Sequence, residues 1–229
     1  MVTLEDAKNV ARHLVNTVAP VSVIAFGSVA TRGQGNDLDI LVVTEQEDMQ
    51  SAVSNSLREF FHRFAIDYFV SSQTELNQNF RNGSPFLRLV QRQGRALYMK
   101  NALKEWTQLA VEDLREARYL SEGGFSRGAC FSAQQGLDKA MKAELLKRGW
   151  ELERIHSIRR LTAILGDHGL HIKCDEEDID FMDSIYRSRY PAEEGLLPLT
   201  PPDSHDAERA ITVAAMIMDQ LPAMKAPSV

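Results

Sequence analysis

The sequence predicts an α/β domain, a small mixed sheet with flanking helices over residues 1–100, followed by an all-α helical bundle over residues 101–229. Two observations predict it. Short, β-branched apolar runs, VSVIAF (21–26), LDILVV (38–43) and AIDYFV (65–70), punctuate the first hundred residues and read as strands. Beyond Asn101 such runs stop, and apolar residues return every third or fourth position instead.

The elements follow in order. Thr3 fits a helix N-cap, with Asp6 three residues on as an imperfect capping box, and Val10, Leu14 and Val18 then recur at helical spacing. Ala19-Pro20 ends that helix. VSVIAF is a buried strand, TRGQGN (31–36) a glycine-rich loop and LDILVV a second strand. A helix is expected around Met49 to Phe64, then the strand AIDYFV, two short helical pieces around Thr74–Phe80 and Pro85–Arg92, and a short strand at Ala96–Met99. In the second half, Trp106, Leu109, Leu114, Ala117 and Leu120 mark one amphipathic helix. SRGACFSAQQGLDKAMKAELLKRG (126–149) is another, closed by Gly149. Further helices are expected near 156–166, 175–189 and 204–222.

Composition narrows the function. The 229 residues are 44% hydrophobic and 25% charged, with a net charge of −6, which excludes a protein that grips nucleic acid by bulk electrostatics. The charge is uneven: residues 99–160 are mildly basic and residues 161–229 are acidic, which leaves room for a local basic groove. Cys130 and Cys174 stand apart and outside any CxxC pair, so neither a disulfide framework nor a zinc site is expected. The N-terminus lacks a basic-then-apolar signal pattern, and no apolar run approaches the ~20 residues of a membrane helix. A cytoplasmic setting with no membrane partner is the expectation.

The chemistry concentrates in FGSVATRGQGNDLDILVV (26–43). Side chains of a strand alternate, so Asp37 and Asp39 share one face while Leu38, Ile40 and Val42 take the other. Two carboxylates on one face repel unless a cation lies between them, and hard oxygen donors suit Mg²⁺ shared with substrate phosphates. Gly27 allows close backbone approach to a phosphate, the Ser28 hydroxyl adds a donor, and Arg32 is near enough to reach a phosphate or simply to be solvated. Asp67, alternating with Ile66 and Tyr68, can face the same site as a third metal ligand or as the acceptor of a proton from an attacking hydroxyl.

The order strand, Gly27-Ser28, eight-residue loop, Asp37-Leu38-Asp39, then a later strand Asp67 resembles the nucleotidyltransferase superfamily of the DNA polymerase β type, its minimal nucleotidyltransferase branch in particular. The resemblance spans roughly the first hundred residues. It implies an enzyme that moves a nucleoside monophosphate from a nucleoside triphosphate, in the ATP-binding manner of the family, to a hydroxyl on a small molecule, protein or RNA. Asp37, Asp39 and Asp67 would be catalytic and hold two Mg²⁺ ions, and Gly27, Ser28 and Arg32 would bind the nucleotide.

The helical half resembles a HEPN domain through AVEDLREARYL with Trp106, CFSAQQGLDKAMKAELL, His156-Ser157 and SIYRSRYP. Many such domains cut RNA with an arginine followed by a histidine with four to six residues between them. Here Arg148 to His156 and Arg160 to His168 each enclose seven residues, so RNA cleavage is not expected. Arg187 and Arg189 could face a phosphate or just stabilise a helix end. The stripe Gln134, Gln135, Lys139 and Lys142 lines a groove or, the commoner case, forms a solvent face. This half is expected to shape the acceptor side of the cleft, and the resemblance carries a possible homodimer. The alternative reading is a nucleotide-binding regulatory module of a toxin–antitoxin type, without turnover.

Overall fold

The computed structural model describes residues 1–187 and 201–225, with side chains through 185 in the first stretch. The Arg187–Pro191 run, beyond the backbone of Arg187, lies outside the described residues. The chain divides into two compact units, Met1–Asn101 and Ala102–Val229.

In the first unit, β1 (Val2–Thr3) leads into α1 (Leu4–Val18). Thr3 makes a full capping box: its hydroxyl accepts from the Asp6 amide while the Asp6 carboxylate accepts from the Thr3 amide. Ala19 adopts a left-handed conformation at the helix end, where Pro20 forbids continuation. Then come β2 (Ser22–Phe26), α2 (Gly27–Arg32), β3 (Gln34–Gly35), β4 (Asp37–Thr44), α3 (Gln50–Leu57), β5 (Ala65–Ser72), α4 (Gln73–Arg81), α5 (Pro85–Gln93) and β6 (Arg95–Met99).

The main sheet has the order β5-β4-β2-β6. Only the β4–β5 pair is parallel; β2 runs antiparallel to both β4 and β6. It is therefore a small mixed sheet, and both of its faces are covered. Leu38, Ile40 and Val42 of β4 pack with Val10 and Leu14 of α1 and Val53 and Leu57 of α3. Leu41 and Val43 point to the opposite face, where Phe26, Leu87 and Val90 cover them. That second core is why LDILVV is nearly continuous in apolar character where a half-solvated strand would alternate.

Two local expectations need correction. The loop expected from Thr31 begins as the last turn of a short helix: α2 runs to Arg32, and Gly33, at φ 79°, is the left-handed residue that ends it. The helix expected from Met49 to Phe64 stops at Leu57. The following residues turn tightly, with the Phe60 amide on the Leu57 carbonyl and the Arg63 amide on the Phe60 carbonyl, and this turns Phe60 back into the core.

The second unit is helical: α6 (Ala102–Glu122), α7 (Ser126–Lys147), α8 (Ile158–Asp167), α9 (Glu176–Arg187) and α10 (Ser204–Met218). Its core joins Ala110, Leu114 and Ala117 of α6 to Leu137, Met141 and Leu145 of α7, Leu161 and Leu165 of α8, Met182 of α9 and Val213 and Ile217 of α10. Gly136 lets α6 approach: a Cβ there would lie 3.0 Å from the Ala110 carbonyl oxygen. Ser157 caps α8 and Asp203 caps α10, the latter with a full capping box to Asp206. No helix among the described residues is long and apolar enough to cross a membrane. Cys130 and Cys174 are both free, and burial pushes the Cys130 thiol up to about 11.

Candidate functional site

Strand register builds the site in the first unit. Asp39 of β4 lies opposite Asp67 of β5 on one side and opposite Phe26 of β2 on the other. Asp37 sits two residues before Asp39, on the same face. The three aspartates thus meet at the mouth of the sheet. Asp37 and Asp39 are half-buried and Asp67 is exposed. Burial, then the charge of Asp37, then that of Asp67 push the Asp39 carboxyl above its ordinary value. Each of these acts in the same direction, and among the described residues no cation counters them at Asp39.

Gly27 closes over this carboxylate. It begins α2 at φ 66°, and a Cβ at that position would fall 2.1 Å from Oδ2 of Asp39. Both the left-handed backbone and the close approach require glycine. Ser28 follows, and its hydroxyl lies against Gly35: a Cβ on Gly35 would come within 1.9 Å of Oγ. Arg32 is exposed in the last turn of α2, where a cation also suits the negative end of the helix.

A cavity of about 520 Å³ opens beside the aspartates, lined by Asp39 and Asp67 together with Phe26, Phe69, Phe86, Gln50, Ile66 and Tyr68. Three of these are phenylalanines whose rings pack together: Phe69 and Phe86 have centroids 4.6 Å apart, Phe26 and Phe86 5.4 Å, and Phe26 and Phe69 6.0 Å. Sequence reasoning missed this aromatic group. Part of the signal was present, because Phe69 lies two residues beyond Asp67 and must share its face, but Phe86 arrives from a helix that no local pattern ties to the strand.

The polar stripe of the second unit is drawn inward from solvent, Gln134 and Lys142 being buried and Gln135 and Lys139 half-buried. On α7, Gln134, Asp138 and Lys142 are all buried. Lys142 donates to Asp138 at 2.7 Å, and its ammonium lies 5.7 Å from the Trp106 ring centroid. Lys139 pairs with Asp113 of α6, and Gln135 donates to Gln134. His156 stands just before the α8 cap, with Nδ1 3.6 Å from Oδ1 of Asp138. Gln134 donates to its backbone carbonyl. Burial pushes the Asp138 carboxyl up against the opposing pull of Lys142. This network ties α6, α7 and the approach to α8 together, which accounts for polar residues that sequence alone leaves ambiguous. Of the cluster Asp203, His205 and Asp206 at the start of α10, the two aspartates are accounted for by the capping box they make.

Residues 103–223 match the family model of the HEPN domain. The chain belongs to the HEPN domain family. It is similar to a crystallised protein of Thermus thermophilus at 30% identity, over 54% of this chain and 97% of that one, with a TM-score of 0.44. It is similar to an archaeal HEPN homologue at 31% identity, over 52% and 93% of the two chains, with a TM-score of 0.40. A nucleotidyltransferase-like protein from Exiguobacterium sibiricum is similar over 93% of this chain and 74% of its own, at 11% identity and a TM-score of 0.37. No curated protein matches the chain. The HEPN unit begins where the mixed sheet of the first unit has ended, so the aspartate cluster lies outside it.

Proposed function

We propose that this chain is a Mg²⁺-dependent nucleotidyltransferase, moving a nucleoside monophosphate from a nucleoside triphosphate to a hydroxyl acceptor. One observation carries the reading. Asp37, Asp39 and Asp67 converge on one sheet face by strand register, under a glycine shaped around one of their oxygens. The donor set fits a hard divalent cation: the oxygens are all carboxylate, and the crowding that raises Asp39 is what a bound cation would reverse. Asp37 and Asp39 would hold Mg²⁺, with Asp67 completing a second metal position. Bound there, Mg²⁺ would offset charge on the attacking and leaving oxygens of an in-line transfer.

The chain's own residues divide the remaining work. Gly27 and Ser28 hold the outgoing phosphates, the glycine by close backbone approach and the serine by its hydroxyl. Arg32 is the nearby cation for the same phosphates. Asp67, the most exposed of the three, is placed to receive the proton of the incoming hydroxyl.

Pyrophosphate release from each of the four NTPs with Mg²⁺, across a panel of hydroxyl acceptors, tests this. The wild type should release pyrophosphate and Asp39→Asn should not, while Asp67→Asn should lose transfer yet keep much of its NTP affinity. Undiminished release by Asp39→Asn would sink the assignment. Thermal stabilisation by NTP with Mg²⁺ but no release with any acceptor would favour a nucleotide sensor over an enzyme.

A further inference from the structure

We propose that Phe69, backed by Phe86 and Phe26, is the stacking wall for the base of the nucleotide whose phosphates the aspartate cluster takes. The inference rests on reading that cluster as a nucleotide site. Phe69 is 48% exposed, although it sits on a strand beside two carboxylates. A large apolar ring left in water at the edge of a charged cleft is stabilised when a ligand covers it. The ring is held in place, because Phe86 packs on it at 4.6 Å and Phe26 at 6.0 Å between centroids. The wall is thus formed before any ligand arrives, which lowers the ordering cost of binding.

The chemistry of the occupant follows from what the cavity holds. Its volume of about 520 Å³ lies within the range of small-molecule sites. One end carries Asp39 and Asp67, which call for a cation or hydrogen-bond donors. The other carries aromatic rings, which call for a flat, weakly polar surface. Register keeps the two ends close: Asp67 and Phe69 are alternate residues of one strand, and Phe26 lies directly opposite Asp39. A ligand with a planar heteroaromatic ring joined by a short link to a cation-bearing phosphate group meets both demands. Stacking on a phenylalanine uses the face common to every base, so the wall contributes affinity with little choice among bases, purines gaining most from their larger area.

The test uses the full chain and probes that separate the two ends of the site. Adenosine, without phosphate or metal, should bind the wild type weakly but measurably by NMR line-shape or saturation-transfer titration. Phe69→Ala should weaken that binding by about tenfold, the order expected for loss of one stacked ring. Phe69→Tyr should retain it, and Phe69→Leu, which keeps apolar bulk, should behave like Phe69→Ala. Binding of inorganic tripolyphosphate with Mg²⁺ should be unchanged in all three variants. Ribose 5-triphosphate, which lacks a base, should bind the wild type no better than ATP binds Phe69→Ala. Equal adenosine affinity in the wild type and Phe69→Ala, or no adenosine binding by the wild type, would overturn the proposal. So would a sugar triphosphate that binds as tightly as ATP. Adenosine binding that depends on Phe69 in a protein that transfers no nucleotide would leave this inference standing and remove the enzymatic reading.

Discussion

Asp39 carries opposing demands. Burial and two neighbouring carboxylates favour its neutral form, while the cation-holding role proposed for it requires the ionised form. Its folded-state pKa is raised, so its contribution to stability is whole below the ordinary value of 3.8 and drains away as pH rises through the raised value. At neutral pH without divalent cations the ionised group therefore works against folding. Asp39→Asn should melt above the wild type at pH 7 in a chelator, and the gap should close as the pH falls to about 4. Adding Mg²⁺ should raise the melting temperature of the wild type more than that of the variant. A gap independent of pH, followed by differential scanning fluorimetry, would contradict the crowding described for this carboxyl. Gly27 belongs to the same account. Its role is half legible, since Gly-Ser after a strand reads equally well as an ordinary turn; the approach of Asp39 that excludes a Cβ depends on strand pairing, which no local stretch encodes.

Among elements, α7 departs furthest from what its sequence conveys. Apolar residues occur on all sides of it, so Gln134, Asp138 and Lys142, which share one face at four-residue spacing, read as a solvent stripe although all three are buried. Their burial is legible only when α6 supplies Trp106 and Asp113, and the α8 approach supplies His156, as neighbours. The Lys142–Asp138 pair should accordingly behave as a buried ion pair. Lys142→Met strands a carboxylate in the core and should cost about 3 kcal/mol in urea denaturation, whereas Asp138→Leu with Lys142→Met should recover most of that loss. A cost near zero for the single variant would mean that the pair is hydrated. The strands, by contrast, are plain in the sequence. β2, β4 and β5 are β-branched or aromatic runs bounded by turn residues, and α1 announces itself by its cap. The α2 helix is not legible, because its six residues are too few for a period and its flanking glycines read as loop.

On the scale of the whole molecule, each unit closes a core from its own residues, and the chemistry is divided in the same way. The aspartate cluster belongs to the first unit; the HEPN unit offers a structural polar network but no arginine followed by a histidine with four to six residues between them. Purified protein should therefore leave single-stranded RNA intact through a long incubation, with or without EDTA, as read on a denaturing gel. Metal-independent cleavage that disappears in His156→Ala would show that this HEPN unit has a nuclease site of another geometry.

The position of β5 at one end of the four-stranded sheet has a consequence for how such a protein diversifies. Asp37 and Asp39 ride on a strand pinned by ladders on both sides, whereas Asp67 and Phe69 ride on one pinned on a single side. Insertions, bends or shifts that would wreck the interior strand are tolerable at the border. Descendants of this chain can remodel the flank that carries Asp67 and Phe69 while inheriting Asp37 and Asp39 unchanged. Under the proposed function, that would let new substrates be recruited around a fixed aspartate pair.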